Sequence, residues 1–133
     1  MQSLLSIFLR LCIYGSFIIW IVGMHPVRFI FARAVPLSQS DISRALQNIK
    51  GWRIEEKDEN VIYRDFEFRD FKQAMLFMNA VADVCEAVGH HPSWTNTYNK
   101  VHVRLTTHDA GNRVTQRDLN LAERMNDIFT RNL

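Results

Sequence analysis

The strongest periodic signal in the chain lies at residues 70–89. Phe71, Ala74, Met75, Met78, Ala82 and Cys85 form one apolar stripe at helical spacing, and Leu76, Phe77, Ala80, Val84 and Ala87 form a second. Lys72, Asn79, Asp83 and Glu86 leave only a narrow polar face, and Gly89 ends the helix. One stripe suffices to cover a sheet, so the second calls for another partner. Upstream, Ser38 to Asp41 offers an N-cap and a first-turn acid. Ile42, Ala45, Leu46 and Ile49 follow at helical spacing, with Lys50 in the last turn and Gly51 to close it. Strands are predicted at Trp52–Glu56 and Val61–Phe68, joined by the polar stretch Lys57–Asn60. In the second of these, Ile62, Phe66 and Phe68 share the core-facing parity, with Arg64 as an exception. A third strand is predicted near Trp94–Tyr98 and a fourth over Val101–Thr107, where Val101, Val103 and Leu105 alternate with His102, Arg104 and Thr106. Thr115 to Asp118 has capping-box-like spacing ahead of a final helix carrying Leu119, Ala122, Met125, Ile128 and Phe129. The order α-β-β-α-β-β-α predicts an α+β two-layer sandwich, with a four-stranded antiparallel sheet and the helices on one face.

Residues 1–37 read differently from the rest. Leu11 to Met24 is an uncharged run of 14 residues, short against the roughly 20 a membrane span needs. Three readings of this leader stand open: a signal peptide or anchor, an acid-free organellar transit segment, or an over-extended gene start. It also explains the charge. The chain is +2 overall, but the leader holds Arg10, Arg28 and Arg33 and no acid, which leaves residues 38–133 with 13 Lys/Arg against 14 Asp/Glu. A domain so balanced lacks the electrostatic footprint of direct nucleic-acid binding. Two cysteines, Cys12 and Cys85, make neither a disulfide framework nor a cysteine-rich zinc site. A cytoplasmic location is expected, with a nuclear share open and a mitochondrial one if the leader is a genuine transit segment.

Four of the five histidines lie between residues 90 and 108. His90 and His91 directly follow a helix end, and Pro92 pushes His91 toward an extended conformation, so the two rings diverge from one constrained corner. Histidine is the side chain best suited to move protons near neutral pH. A zinc site built from His91, His108 and Glu86 is a rival, although the spacing matches no helical metal motif. In the plainer alternative, His90 caps a helix C-terminus, and His91 and His108 are surface residues.

The spacing Glu86, His90-His91-Pro92, Tyr98, His108, Asp118 resembles the signature of the pterin-4a-carbinolamine dehydratases, as does the local wording around Trp94, Asn99, Lys100, Leu119 and Asn120. The resemblance covers about residues 38–133 and excludes the leader. It implies a hydro-lyase that removes water from a 4a-hydroxytetrahydropterin. The quinonoid dihydropterin product is returned by a reductase to tetrahydrobiopterin. By this resemblance His90 and His108 are the acid/base candidates, with no metal and no cofactor required. His91 is a substrate-positioning candidate with a share in catalysis. Trp94 either borders the pterin or is a half-buried strand residue. Glu86 either contacts the histidine corner or completes the polar helix face. Asp118 either orients His108 or bonds its own helix N-terminus. The resemblance also implies a homodimer or homotetramer, which suits a second apolar stripe on helix 70–89. It leaves open a different class of function, that of a dimerisation cofactor for a transcription factor.

Overall fold

The computed structural model describes residues 33–131. The apolar run of the leader and the three readings of it lie outside the described residues. Among the described residues no helix is long and apolar enough to cross a membrane.

Local chemistry starts and stops the elements. Helix α1 (Gln39–Leu46) begins where the Ser38 hydroxyl accepts the Asp41 N–H. It ends earlier than the apolar spacing suggests. The Lys50 carbonyl is taken by Arg64 and by Asn126, at 2.9 and 3.0 Å, instead of by a helical amide. Ile49 is still turned into the core. Strand β1 (Arg53–Glu55) and strand β2 (Asp58–Glu67) form a hairpin tighter than predicted, with Glu55 already opposite Asp58. Helix α2 (Phe71–Val88) is capped by Asp70, whose carboxylate accepts the Gln73 N–H at 2.9 Å. It stops at Gly89, whose φ of +62° is the left-handed conformation that glycine adopts without strain. Strands β3 (Ser93–Thr97) and β4 (Lys100–Leu105) follow, then a 3₁₀ turn at His108–Ala110 and helix α3 (Gln116–Arg131).

The sheet is antiparallel throughout, in the order β1-β2-β4-β3. Its register sets Ile62 against Leu105, Arg64 against Val103 and Phe66 against Val101, so the apolar parity of β2 and that of β4 share a face. That face and the helices enclose one core: Ile42 from α1, Ala74, Phe77, Val81 and Cys85 from α2, and Leu119, Ala122 and Met125 from α3. This is the α+β sandwich expected. Pro36 bridges Thr115, and the Leu37 N–H donates to the Val114 carbonyl at 2.9 Å. Two residues read as leader therefore pair with the domain.

Arg64 is the exception on the core-facing parity of β2, and the structure shows how it is accommodated. Its guanidinium carbon lies 4.4 Å from the Phe66 ring centre and 5.2 Å from that of Phe129. Its donors reach Lys50 and Asn126. Burial lowers its pKa from the ordinary arginine value.

The two stripes assigned to α2 need correcting. Phe77 belongs to the core stripe, with 0% of its surface exposed and its ring 4.7 Å from that of Phe66. Val81, placed in neither stripe, lies at the centre of the buried face. At 100° per residue, positions 74, 77, 81 and 85 straddle a single line. Phe71, Leu76 and Val88 are instead the large apolar side chains that α2 exposes, at 48%, 55% and 46%.

The Asp70 cap carries a pH prediction. The Gln73 backbone N–H, and then Arg69, hold its carboxyl below the usual aspartate value. An unfolded chain takes up this proton at higher pH than the folded one. The cap's stabilisation is therefore complete above the ordinary carboxylate value and is lost as pH falls through the depressed folded value. Asp70→Asn keeps a good cap without the titration. Thermal melts from neutral to acid pH should show wild type losing its advantage over Asp70→Asn as the solution is acidified.

Candidate active site

Gly89 turns the chain out of α2, and Pro92 launches β3. Between them lie His90 and His91. The 3₁₀ turn that follows β4 brings His108 to the same place. His90, His91 and His108 line one cavity of about 340 Å³, together with Asp109 and Arg117. That volume is at the small end of the range for small-molecule sites.

Each ring is held differently. His90 is buried, and its Nε2 lies 2.7 Å from Asp118 Oδ1. Asp118 is fully buried at the start of α3. Its other oxygen accepts the Thr107 hydroxyl at 2.7 Å and the Thr115 N–H at 2.8 Å. The Thr115 hydroxyl in turn accepts the Arg117 N–H at 3.2 Å. This completes the reciprocal cap that the spacing predicted. With Nε2 donating to a carboxylate, Nδ1 is the free nitrogen of His90. The His90 ring lines this cavity and a neighbouring one of about 460 Å³.

His108 is exposed, and its Nδ1 lies 2.8 Å from Asn112 Oδ1. Asn112 stands at a φ of +55° in the adjoining turn. The amide oxygen can only accept, so Nδ1 carries the proton and Nε2 of the neutral ring is an acceptor. His91 is also exposed, with Nε2 3.0 Å from Glu86 Oε1. Glu86 therefore reaches the histidine corner.

Two expectations change. Asp118 orients His90 and its own helix start, and does not touch His108. The reason is topological: α3 begins beneath the α2–β3 corner, whereas the 3₁₀ turn carries the His108 ring outward to Asn112. Trp94 does not line the histidine cavity. It pairs with Val103 across β3–β4 and so lies on the core face, half-buried against the apolar cluster. Tyr98, at φ +53° and 65% exposed, is a turn residue at the far end of β3. The fourth histidine of the group, His102, lies on the opposite sheet face with Asp65, 2.7 Å away.

Asp109, Asn112 and Arg117 were not singled out by the sequence. Their periodicity is that of a loop and a helix start. The faint signal is Arg117 itself, a cation in the first turn of a helix, where the helix dipole disfavours positive charge. Among the described residues no three His, Cys, Asp or Glu side chains are grouped to hold a metal ion.

Comparison with known proteins identifies the family. The family model described as pterin 4 alpha carbinolamine dehydratase matches residues 35–128. A relative in Opitutus terrae, named for that activity, is 44% identical over 92 residues, which are 69% of this chain and 92% of its own. One in Rhodopseudomonas palustris, similarly named, is 50% identical over 92 residues, covering 69% and 89%. A crystal structure from Brucella melitensis, described as a transcriptional coactivator/pterin dehydratase, superposes with a TM-score of 0.67 at 40% identity, covering 70% of this chain and 97% of that one. With near-complete relatives matched and the fold shared, this chain belongs to the pterin-4a-carbinolamine dehydratase family of hydro-lyases.

Proposed function

We propose that this protein dehydrates a 4a-hydroxytetrahydropterin to the quinonoid dihydropterin by proton transfer between two histidines, in tetrahydrobiopterin recycling. The observation that carries the reading is the convergence of His90, His91 and His108 on one cavity, with the two acid/base candidates in different hydrogen-bonded states.

The hydroxyl on C4a leaves readily only as water. Protonated His90, its charge balanced by Asp118, donates from Nδ1 to that oxygen as the C4a–O bond breaks. Neutral His108 takes the N5 proton at Nε2 as the C4a=N5 double bond forms. One water is lost, and the two rings exchange protonation states, which solvent then restores. His91, tethered by Glu86, contacts the substrate at the rim.

The test is the dehydration of synthetic 4a-hydroxytetrahydropterin by the full chain, followed by the absorbance of the quinonoid product. No acceleration over the uncatalysed rate would overturn the reading. Activity should also survive exhaustive chelation, because the imidazoles supply both proton transfers. Stoichiometric zinc, with activity lost on its removal, would point instead to a metal mechanism.

A second reading rests on the exposed Leu76, on the side of α2 away from its buried line, and the coactivator description of the Brucella protein names the rival use of that side. We propose that this surface serves self-association, as a dimer or tetramer. Leu76→Glu is the suitable test, because Phe77→Glu would place a charge in the core. Light scattering should show Leu76→Glu as a smaller species than wild type. A wild-type protein that is monodisperse and monomeric at high concentration would refute self-association and leave the surface to a transcription-factor partner.

A further inference from the structure

Residues 35–37 enter the domain as a short strand whose pairing goes to one place. The Leu37 N–H donates to the Val114 carbonyl at 2.9 Å, and Pro36 bridges Thr115. This entry strand keeps little from water. Val35 is 76% exposed, and Leu37 packs on the core while only half-buried itself. A segment with so few buried apolar contacts adds little to global stability.

What the pairing holds is backbone that carries the site. Residues 113–115 are the return arm of a loop whose outgoing arm ends at Thr107, and the 3₁₀ turn of His108 is its tip. The Thr107 N–H donates to the Arg113 carbonyl at 3.1 Å, and the Thr107 and Thr115 hydroxyls lie 2.7 Å apart. The successive carbonyls of Arg113 and Val114 thus serve Thr107 and Leu37, so the return arm is fastened to the loop and to the entry strand at once. Thr115 on that arm gives its N–H to Asp118, the carboxylate that holds His90. Residues 33–36 also border Ala110, the last residue of the His108 turn, across a cavity of about 280 Å³. One short arm therefore supports both acid/base candidates, His108 through the loop and His90 through Asp118.

We propose that Pro36 and Leu37 are positioning residues for the dehydration: by fixing the backbone of residues 113–115, they set Asp118 against His90 and the His108 turn relative to both. The inference rests on the dehydratase reading above. Neither residue lines the histidine cavity, and both act through Thr115 and Asp118. Loss of the pairing lets the arm shift, and a displacement of about 1 Å in such a support costs about 10²-fold in rate. The loss falls on kcat more than on KM. It misaligns the proton donor and acceptor, whereas His91 is held by Glu86 on another element. The last residues of the segment read as a leader are then part of what holds the site together.

The experiment uses the full-length protein with leucic acid in place of Leu37, which exchanges the N–H for an ester oxygen and leaves every side chain as it is. kcat for the hydroxytetrahydropterin should fall about 10- to 100-fold, with KM within a few-fold of wild type. Pro36→Gly keeps the Leu37 N–H but frees the backbone before it, and should move kcat the same way by less. In an Asp118→Asn background the ester should cost little more, because the two changes act on one network. Ile42→Val, which removes one buried methyl group from α1, controls for general destabilisation. It should lower the melting temperature and leave kcat unchanged. A further readout needs no substrate: the proton that His90 Nε2 gives to Asp118 should exchange with solvent faster in the ester protein, as followed by proton NMR. An ester protein with wild-type kcat overturns the inference and leaves the dehydratase reading standing. So does an Ile42→Val protein that loses as much kcat, since the effect would then be one of general stability. If wild type accelerates no dehydration, the dehydratase reading falls, and the exchange of the His90 proton decides whether the entry strand holds the corner.

Discussion

His90→Ala is expected to lower the dehydration rate by about 10²–10⁴-fold, the usual contribution of a positioned general acid. His108→Ala should cost about as much for the opposite proton. The two should be less than additive, because a site that has lost either half of the exchange gains little from the other. The pairing of each ring makes the expectation specific. His90 donates Nε2–H to Asp118, which leaves Nδ1 as the reacting nitrogen of a ring that lines the cavity. His108 gives Nδ1–H to Asn112, leaving Nε2 to accept. His91→Ala, which removes an exposed ring held only by Glu86, should act chiefly through KM. The measurement is steady-state dehydration with fold checked by circular dichroism. Full activity in a folded His90→Ala/His108→Ala double variant would sink the mechanism.

The second large effect is expected at Asp118, where stability and activity meet. Its carboxylate is fully buried and satisfies His90, the Thr107 hydroxyl and the Thr115 N–H at once. Asp118→Ala strands His90 and the Thr115 N–H and leaves the Thr107 hydroxyl only the Thr115 hydroxyl, 2.7 Å away. Removing one partner of a buried pair of this kind typically costs about 3–5 kcal/mol, a large part of the stability of a domain this size. Asp118→Asn separates the two roles. One amide oxygen can still serve the helix start, but the amide nitrogen facing His90 donates instead of accepting. Nε2 must then accept, so the doubly protonated ring that the general acid requires loses both its hydrogen-bond acceptor and its counter-charge. Activity should fall about 10²–10⁴-fold, by analogy with other carboxylate-oriented histidines. The loss of stability should be smaller than in Asp118→Ala. Denaturant melts and the dehydration assay, run side by side, separate these outcomes. An Asp118→Ala protein as stable as wild type would show that the buried network does not hold the corner together.

What was legible in the sequence is what short-range chemistry decides. Ser38 and Asp70 start their helices because a side-chain oxygen reaches an amide three residues on, and Gly89 stops one because it adopts a left-handed φ. Val101, Val103 and Leu105 alternate because successive strand residues face opposite ways, and the structure buries all three. The histidine corner was legible for the same reason, since Pro92 restricts its neighbour whatever surrounds it. The tertiary structure decided which surfaces meet. Periodicity says which residues of α2 share a face, but with apolar side chains nearly all round, only packing on Phe66 and Phe68 shows that Phe77 faces inward. The β3–β4 register turns Trp94 toward the core and His102 away from it. The partnership of His90 with Asp118 spans 28 residues, and Arg117 and Asp109 reach the cavity only because a helix start and a 3₁₀ turn converge there. Such long-range pairs carry no local propensity of their own. They arise when the sheet order brings the end of α2, the turn after β4 and the start of α3 to one edge of the fold.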